Sequence, residues 1–298
     1  MKSPTSHLFG GSPRAQITRG DSGFGTWEMA TRAPHPELQA FVLGYLGLKS
    51  RIDLARERHL PSGEVELLLN LGQPFRVLHP ASGRHWTTHR GAAVIGVHDS
   101  YVLTEETGAQ HVVVVRLRPA GAHILFDLPM HELANGFVEL DEVNYEIARI
   151  LPVALYADDW DKRFSTLDSI IAERIDRVRA QALRTAWAWQ KLWDADGLLS
   201  IRSLANEAGC SQKHLIAQFR DYVGIPPKAV ARVMRFNRAI KSIERGGPVD
   251  WVQLALDCGY YDHSHFIRDF NAFAGCTPTE LLQSLAGPSL RADHPGGR

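Results

Sequence analysis

The sequence predicts a two-domain α+β protein with a β-rich first part and an all-α second part. Between residues 64 and 117, short apolar runs alternate with turn residues at close spacing, which is typical of antiparallel strands in a barrel or sandwich. From Trp160 onward, apolar residues such as Leu167 and Ile171 fall at helical spacing. This change of period places a domain boundary between residues 155 and 178.

The elements of the first part follow from these runs. Strands are expected over residues 64–71, 75–78, 92–97, 101–104 and 111–117. Short helices are expected over residues 37–41, 123–126, 130–133 and 141–151. The first two dozen residues are rich in Gly, Ser, Thr and Pro and lack an apolar period, so we expect an arm without fixed structure there.

The composition excludes several classes of function. The 298 residues carry 33 basic and 33 acidic side chains, so no whole-chain charge attracts polyanions, and any such site must be local. The longest aliphatic run, residues 112–115, is far below the roughly 20 residues of a membrane span, so we expect a cytoplasmic protein without membrane contact. Three cysteines without a C-x-x-C pair predict buried thiols rather than a disulfide framework or a zinc ribbon.

Residues 200–223 have the layout of a helix-turn-helix unit. A helix with core position Leu204 ends at Gly209, and Ser211 is placed as the N-cap of a second helix whose core includes Leu215. The tight turn leaves the second helix free to enter a major groove with its N-terminal turns facing base edges.

Residues 251–270 repeat this layout about fifty positions later. Ala255 and Gly259 stand where Ala205 and Gly209 stand in the first unit. Two units with matched core spacing are hard to obtain by chance.

The segment between the units is predicted as one long helix. It opens with Pro227 in its first turn and closes before residues 246–248, which read Gly-Gly-Pro. Residues 201–245 carry nine basic and three acidic side chains, whereas residues 246–286 carry one basic and five acidic ones. We therefore expect the first unit to supply most of the attraction to phosphates.

Two further motifs accompany this layout. They are the linker Pro227…Arg232…Arg235…Arg238-Ala239 and the ending Gly259-Tyr260…Phe266-Ile267-Arg268-Asp269-Phe270…Gly275-Cys276-Thr277-Pro278. Together with the two units, they resemble the DNA-binding domain of the AraC/XylS family of transcription regulators. Upstream, residues 59–64 and 116–122 resemble the cupin-like sensory domain of one branch of that family. The resemblance implies a sequence-specific regulator that binds two successive major-groove segments of double-stranded DNA without a cofactor.

The resemblance also implies which residues contact DNA, namely outward positions early in each second helix and basic residues nearby. In the first unit these are Ser211, Gln212, Lys213, Ile216, Ala217, Gln218 and Arg220. In the linker and the second unit they are Arg232, Arg235, His263, Ser264, His265, Ile267 and Arg268. Family members often carry Arg at the position of Ala217, whose methyl group offers only an apolar contact, so we expect the first unit to read fewer bases directly.

Some of these side chains have other interpretations. The three-residue spacing of Arg232, Arg235 and Arg238 fits phosphate contact, packing between the units or a solvated face. His263 and His265 fit DNA contact and ordinary surface positions equally.

Glu64 and Glu66 share one face of a predicted strand. If that face lines a barrel interior, the two carboxylates are candidates to bind a cationic or hydroxylated effector, and if it faces water they are ordinary surface residues. A first domain that binds a protein partner and no small ligand is the third interpretation of the chain.

The alternative function is a cupin-like metal enzyme with an accessory DNA-binding domain. The histidines available for a metal are His85, His89, His98 and His111. No H-x-H motif with a trailing Glu, nucleophile elbow or phosphate-binding loop is present in the sequence, so we expect no metal and no enzyme activity.

The expected division of the chain has five parts. They are a flexible arm over residues 1–30, a β-rich cupin-like sensory or dimerisation domain over 31–157, a helical linker over 158–178, the double helix-turn-helix domain over 179–285 and a tail over 286–298. The resemblance further implies a homodimer, contact with RNA polymerase, and control by a small-molecule effector or a partner at the first domain.

Overall fold

The computed structural model describes residues 13–22, 25–79, 85–154, 159–176 and 183–286. It contains a β-rich N-terminal part and an all-α C-terminal part with two helix-turn-helix units, as the sequence predicts. The remaining segments of the predicted arm, linker and tail lie outside the described residues. None of the described helices is both long enough and apolar enough to cross a membrane.

In the described residues, the N-terminal part is built on one antiparallel sheet of nine strands. The strands are β1 (Gln16–Ser22), β2 (Gly25–Arg32), β3 (Val42–His59), β4 (Val65–Asn70), β5 (Phe75–Leu78), β6 (Thr87–His89), β7 (Ala92–Ile95), β8 (Val102–Leu117) and β9 (Phe137–Glu139). Their order is β1-β2-β3-β8-β4-β7-β9, and β5 pairs with β6 and β8. Within the described residues no pairing joins β1 to β9, so the hydrogen-bonded path is open at both ends.

The two longest strands, β3 and β8, were not recognised as such in the sequence. The prediction divided β8 into two strands and placed none over β3, because charged residues interrupt the apolar pattern of both. The structure pairs those charges across the sheet: Glu105 of β8 accepts hydrogen bonds from Arg56 of β3 at 2.8 Å and from Arg76 of β5 at 2.7 Å. Cross-strand ion pairs therefore support the polar halves of these strands.

Among the residues that the structure describes, four α-helices accompany the sheet: α1 (Pro119–Phe126), α2 (Leu140–Val143), α3 (Tyr145–Ala154) and α4 (Trp160–Asp176). Short 3-10 helices cover Pro36–Leu38 and Met130–Glu132. Helix α4, which lies in the predicted linker, packs onto the sheet, where Asp168 accepts hydrogen bonds from the buried side chains of Arg32 and Tyr45. These bonds fix α4 on the first domain.

Strands β1 and β2 correct the prediction of a flexible arm over residues 1–30. They form an antiparallel hairpin that adds to the edge of β3. The ring of Trp27 packs on Gly20, and the backbone N–H of Ala15 donates to Asp161 of α4 at 2.6 Å. Local composition did not reveal this hairpin because its pairing with β3 and its hydrogen bond to α4 depend on distant parts of the chain.

The C-terminal part consists of seven helices in the described residues. They are α5 (Leu183–Asp194), α6 (Ile201–Glu207), α7 (Gln212–Tyr222), α8 (Pro227–Glu244), α9 (Trp251–Asp257), α10 (His263–Ala274) and α11 (Pro278–Ala286). As predicted, α8 begins at Pro227, whose missing N–H needs no partner in the first turn. Two apolar clusters meet along α8: Val230 and Met234 join the core that contains the first unit and the sheet, whereas Phe236 packs in a second core with the second unit.

Candidate nucleic-acid interface

The first helix-turn-helix unit has its recognition helix, α7, open to solvent at the N-terminal end. Ser211 caps the helix, because its Oγ accepts a hydrogen bond from the backbone N–H of His214 at 3.2 Å. Leu215 and Phe219 are buried and hold the opposite face of α7. Gly209, in the turn, has a φ of +66°, a left-handed conformation that favours glycine.

Most of the DNA-contact residues predicted for this unit lie on the surface. The exposed ones are Ser211, Gln212, Lys213, Ile216, Ala217 and Arg220. Gln218 is half-buried and lines a cavity of about 390 Å³ next to the turn, together with His214 and Cys210.

The second unit presents α10 in the same way. The Asp262 carboxylate caps the helix by accepting a hydrogen bond from the backbone N–H of His265 at 2.7 Å. Four residues separate α6 from α7, whereas five separate α9 from α10, so the second turn is one residue longer. Of the predicted contact residues, His263, Ser264 and Arg268 are exposed, whereas His265 and Ile267 are half-buried.

Arg232 and Arg235, the residues of α8 predicted to contact DNA, are engaged within the protein. Arg232 donates to both carboxylate oxygens of Asp269, at 3.0 and 2.7 Å. Arg235 donates to the carbonyl oxygen of Gly197 at 3.2 Å, and its guanidinium lies over the Tyr260 ring. Of the interpretations left open by the sequence, this geometry favours packing between the units over phosphate contact for Arg232 and Arg235.

Sequence reasoning missed a pair of glycines at which the N-terminal domain touches both units. Gly224, after α7, and Gly275, after α10, occupy equivalent positions with φ values of +99° and +66°. A β-carbon on Gly224 would lie 2.8 Å from the carbonyl oxygen of Met130, and one on Gly275 would collide with the ring of Tyr101. Each recognition helix therefore ends against the first domain. The sequence could not predict these contacts, because they join residues that are far apart along the chain.

Two other contacts join the first domain to the second unit and the linker helix. Arg58 donates to the carbonyl oxygen of Ala274 at 2.8 Å, and its guanidinium lies over Tyr101. Asn237 of α8 donates to the carbonyl oxygen of Ser62 at 3.2 Å. The connection between β3 and β4 thus lies against the DNA-binding domain.

The two acidic residues predicted for an effector have different surroundings. Glu64 is buried and accepts hydrogen bonds from Nε and Nη2 of Arg116 at 2.8 and 2.7 Å, so its carboxylate is already paired. Glu66 is half-buried, and burial together with the negative charge of Glu64 raises its pKa to about 7. Glu66 is therefore the candidate of the two for binding a ligand.

A second acidic pair, Glu57 of β3 and Glu106 of β8, was also missed. Burial raises the pKa of Glu57, and burial with the charge of Glu57 raises the pKa of Glu106 to about 7. Alternation along a strand places Glu57 and Glu106 on one face of the sheet. The sequence did not reveal this pair because no strand was predicted over β3.

The histidines considered for a metal have other surroundings. His89 Nδ1 lies 2.7 Å from Glu139, His98 donates through Nδ1 to the Gly96 carbonyl oxygen, and His111 Nε2 accepts from Arg163 at 2.6 Å. Burial lowers the pKa values of both His98 and His111 to about 4, so both rings are neutral at pH 7. His85 is exposed, and the described part of the chain has no group of three or more His, Cys, Asp or Glu arranged to hold a metal ion.

Two family models match this chain. Residues 204–284 match a helix-turn-helix domain, and residues 30–139 match a domain of unknown function, DUF6597. No curated protein matches the sequence.

Several solved structures are similar to the chain. ToxT from Vibrio cholerae is 14% identical over 93% of this chain and 100% of that chain, with a TM-score of 0.45. ToxT from Vibrio cholerae strain SCE256 with bound unsaturated fatty acid is 11% identical over 80% of this chain and 94% of that chain, also with a TM-score of 0.45. A transcriptional regulator from Chromobacterium violaceum, described as containing an AraC-type DNA-binding domain, is 25% identical over 36% of this chain and 95% of that chain, with a TM-score of 0.33.

The two capped recognition helices and the match over residues 204–284 define the class of protein: it is a DNA-binding transcription regulator. Its C-terminal domain is a helix-turn-helix domain of the AraC type.

Proposed function

We propose that the protein binds a two-part operator, with α7 and α10 in successive major-groove segments on one face of the duplex. The observation that carries this proposal is the pair of capped, outward-facing recognition helices joined by α8. The 18 residues of α8 span about 27 Å at 1.5 Å per residue, which is close to the roughly 34 Å between groove segments one helical turn apart.

The two units contact DNA by different means. In the second unit, the exposed guanidinium of Arg268 has the geometry to donate two hydrogen bonds to a guanine edge, next to His263 and Ser264. In the first unit, Ala217 offers only a methyl group, and the exposed cations Lys213 and Arg220 attract phosphates. The first unit therefore contributes mainly affinity, and the second contributes the strongest direct base contact.

Selection from a pool of random duplexes by the purified full chain tests this proposal. We expect a motif of two conserved blocks whose centres lie about 10 base pairs apart, and an affinity that falls with salt. A motif confined to one groove segment, or no enrichment over the starting pool, would contradict the two-helix arrangement.

The N-terminal domain controls DNA affinity in this proposal. Support comes from its contacts with both units, at Gly224 and Gly275, and from the hydrogen bond between Arg58 and Ala274 at the end of α10. A cationic or hydroxylated ligand at Glu66, or a protein partner on this domain, changes DNA affinity by changing these contacts.

Variants of the first domain test the control separately from DNA contact. Arg58→Ala and Tyr101→Ala remove contacts with the second unit without altering any residue of the DNA-binding domain, so operator affinity should shift several-fold. Arg56→Ala is the matched control, since Arg56 lies on the same strand and pairs with Glu105 at the surface. Equal operator affinity in all three variants and the wild type would show that the interface does not affect DNA binding.

The AraC/XylS resemblance supports two further parts of the proposal, namely a homodimer and contact with RNA polymerase. The absence of a long apolar run in the sequence supports a cytoplasmic location. The division of the chain follows the sequence prediction, except that the first domain includes the hairpin of β1 and β2 and helix α4. The protein acts as a regulator and not as an enzyme. Stoichiometric metal in the purified chain that is lost on His111→Ala would favour the metal-enzyme alternative.

A further inference from the structure

An ion pair between Arg232 and Asp269 joins the linker helix α8 to the second recognition helix α10. Both oxygens of Asp269 are used, at 3.0 Å from Nε and 2.7 Å from Nη2 of Arg232. Asp269 is only 2% exposed, and the Arg232 guanidinium also lies 5.1 Å from the centre of the Phe273 ring. Arg232 therefore contacts two successive turns of α10.

Apolar contacts also join these two helices. The Phe236 ring of α8 packs on the rings of Phe270 and Phe273 of α10, with centroids 5.2 and 5.3 Å apart. Apolar burial is non-directional, so such contacts tolerate small rotations of a helix. A bidentate Arg–carboxylate pair has a fixed planar geometry, so the ion pair determines the rotation of α10 about its own axis.

This anchor lies next to the residues proposed to read bases. Asp269 directly follows Arg268, and its carboxylate is 3.8 Å from His265 Nε2, one turn earlier on α10. Because Asp269 points into the protein and Arg268 points out, fixing one side chain fixes the direction of the other. In the first unit, the position equivalent to Asp269 is Gln218, which lines the cavity near the turn.

We propose that Arg232 is a positioning residue: through Asp269 it sets the orientation in which α10 presents Arg268 to the second half of the operator. This inference rests on the proposed function and assigns a role to Arg232 other than phosphate contact.

In this ion pair Asp269 is buried and Arg232 is half-buried. Such a pair contributes little net stability, because removing charge from water costs about as much as the attraction of the two groups returns. Replacing both partners with apolar residues of similar volume is often neutral for folding, whereas removing one partner leaves a buried charge unpaired. The double variant Arg232→Met/Asp269→Leu thus keeps the packing between α8 and α10 but removes the directional ion pair. Its DNA binding therefore distinguishes a role of the ion pair in orienting α10 from a role in holding the fold together.

The experiment measures binding of full-length variants to three duplexes: the selected operator, a first-half mismatch and a second-half mismatch. The wild type should lose roughly tenfold or more in affinity on the second-half mismatch and a smaller factor on the first-half mismatch. Each of these losses of affinity is the penalty of that mismatch. The double variant should keep the melting temperature and the first-half penalty of the wild type, whereas its second-half penalty should fall severalfold. Arg238→Met is the matched control, since Arg238 lies on the same helix and pairs with Asp196 at the surface, and it should keep both penalties.

A stable double variant that retains the full second-half penalty would overturn the positioning role. Equal loss of both penalties would also overturn it, since that result indicates a general structural effect. A wild-type chain without a penalty for either mismatch would instead contradict the proposed two-part operator, and with it this inference.

Discussion

The two helix-turn-helix units share an internal scaffold but differ in their outward faces. Ala205 and Ala255 are both buried where the helices of each unit cross, and a side-chain N-cap precedes each recognition helix. On the outer face of the first helix, Arg202 in the first unit is replaced by Val252 in the second, which is 56% exposed. The core spacing identifies such a unit, whereas its outward residues determine what it binds.

The units also differ in how they are attached to the rest of the molecule. The core of the first unit, with Leu215 and Phe219, is continuous with the core of the sheet domain. The second unit has its own core around Phe266 and Phe270. This difference indicates that the first unit behaves as an extension of the N-terminal domain and the second as a separately attached body.

The largest expected effect comes from truncating these two cores. Phe219→Ala and Phe270→Ala should each lower the free energy of unfolding by about 3–5 kcal/mol, because both rings are fully buried. Phe270→Ala should increase hydrogen exchange in α10 and leave β8 protected, whereas Phe219→Ala should affect both domains. Loss of protection in β8 of Phe270→Ala would contradict the separate attachment of the second unit.

The next effect concerns base recognition. Arg268→Ala should reduce discrimination at one base pair in the second half of the operator by about 1–3 kcal/mol, measured by binding to duplexes with single substitutions. Arg220→Ala, in the first unit, should weaken binding to all sequences more evenly. Equal losses on operator and random DNA for Arg268→Ala would show that its guanidinium contacts phosphate instead.

A smaller effect is expected from the pH dependence of Glu66. Its pKa in the folded state is about 7, above the ordinary value of 4.5, so the wild type loses stability as the pH rises through that interval. Glu66→Gln should therefore be more stable than the wild type at pH 8, by about 1 kcal/mol given its partial exposure, and equal to it below pH 4.5.

Denaturant unfolding at both pH values measures this difference. Glu64→Gln is the contrasting control, because it weakens the ion pair between the buried Glu64 and Arg116 and should lower stability at pH 8. The same stability difference between Glu66→Gln and the wild type below pH 4.5 and at pH 8 would contradict the raised pKa.

The smallest effect is on the salt dependence of DNA binding. Lys213→Ala should reduce the slope of log affinity against log salt by about 1, because one phosphate contact is lost, with little change in stability. Ser264→Ala, at the equivalent position of the second unit, should leave the slope unchanged. The same slope for Lys213→Ala and the wild type would remove Lys213 from the phosphate contacts.

The sequence predicts the helix-turn-helix units well because their determinants are local. The cap at Ser211, the left-handed turns at Gly209 and Gly259 and the start of α8 at Pro227 each depend on a few neighbouring residues. Helical periodicity then identifies the buried faces.

The features that were missed depend on distant residues. The hairpin of β1 and β2, the length of β3 and the contact of Tyr101 with Gly275 all require partners far along the chain. The role of Arg232 also changed, from candidate phosphate contact to partner of Asp269, because only the fold brings the two residues together.

The most direct test of the difference between the units is base-resolved protection of the selected operator by the full chain and by Arg268→Ala. We expect the wild type to protect two major-groove segments one helical turn apart, and Arg268→Ala to lose protection in only one of them. Protection of a single segment by the wild type, or equal loss in both segments with Arg268→Ala, would contradict the account of two units that contact DNA by different means.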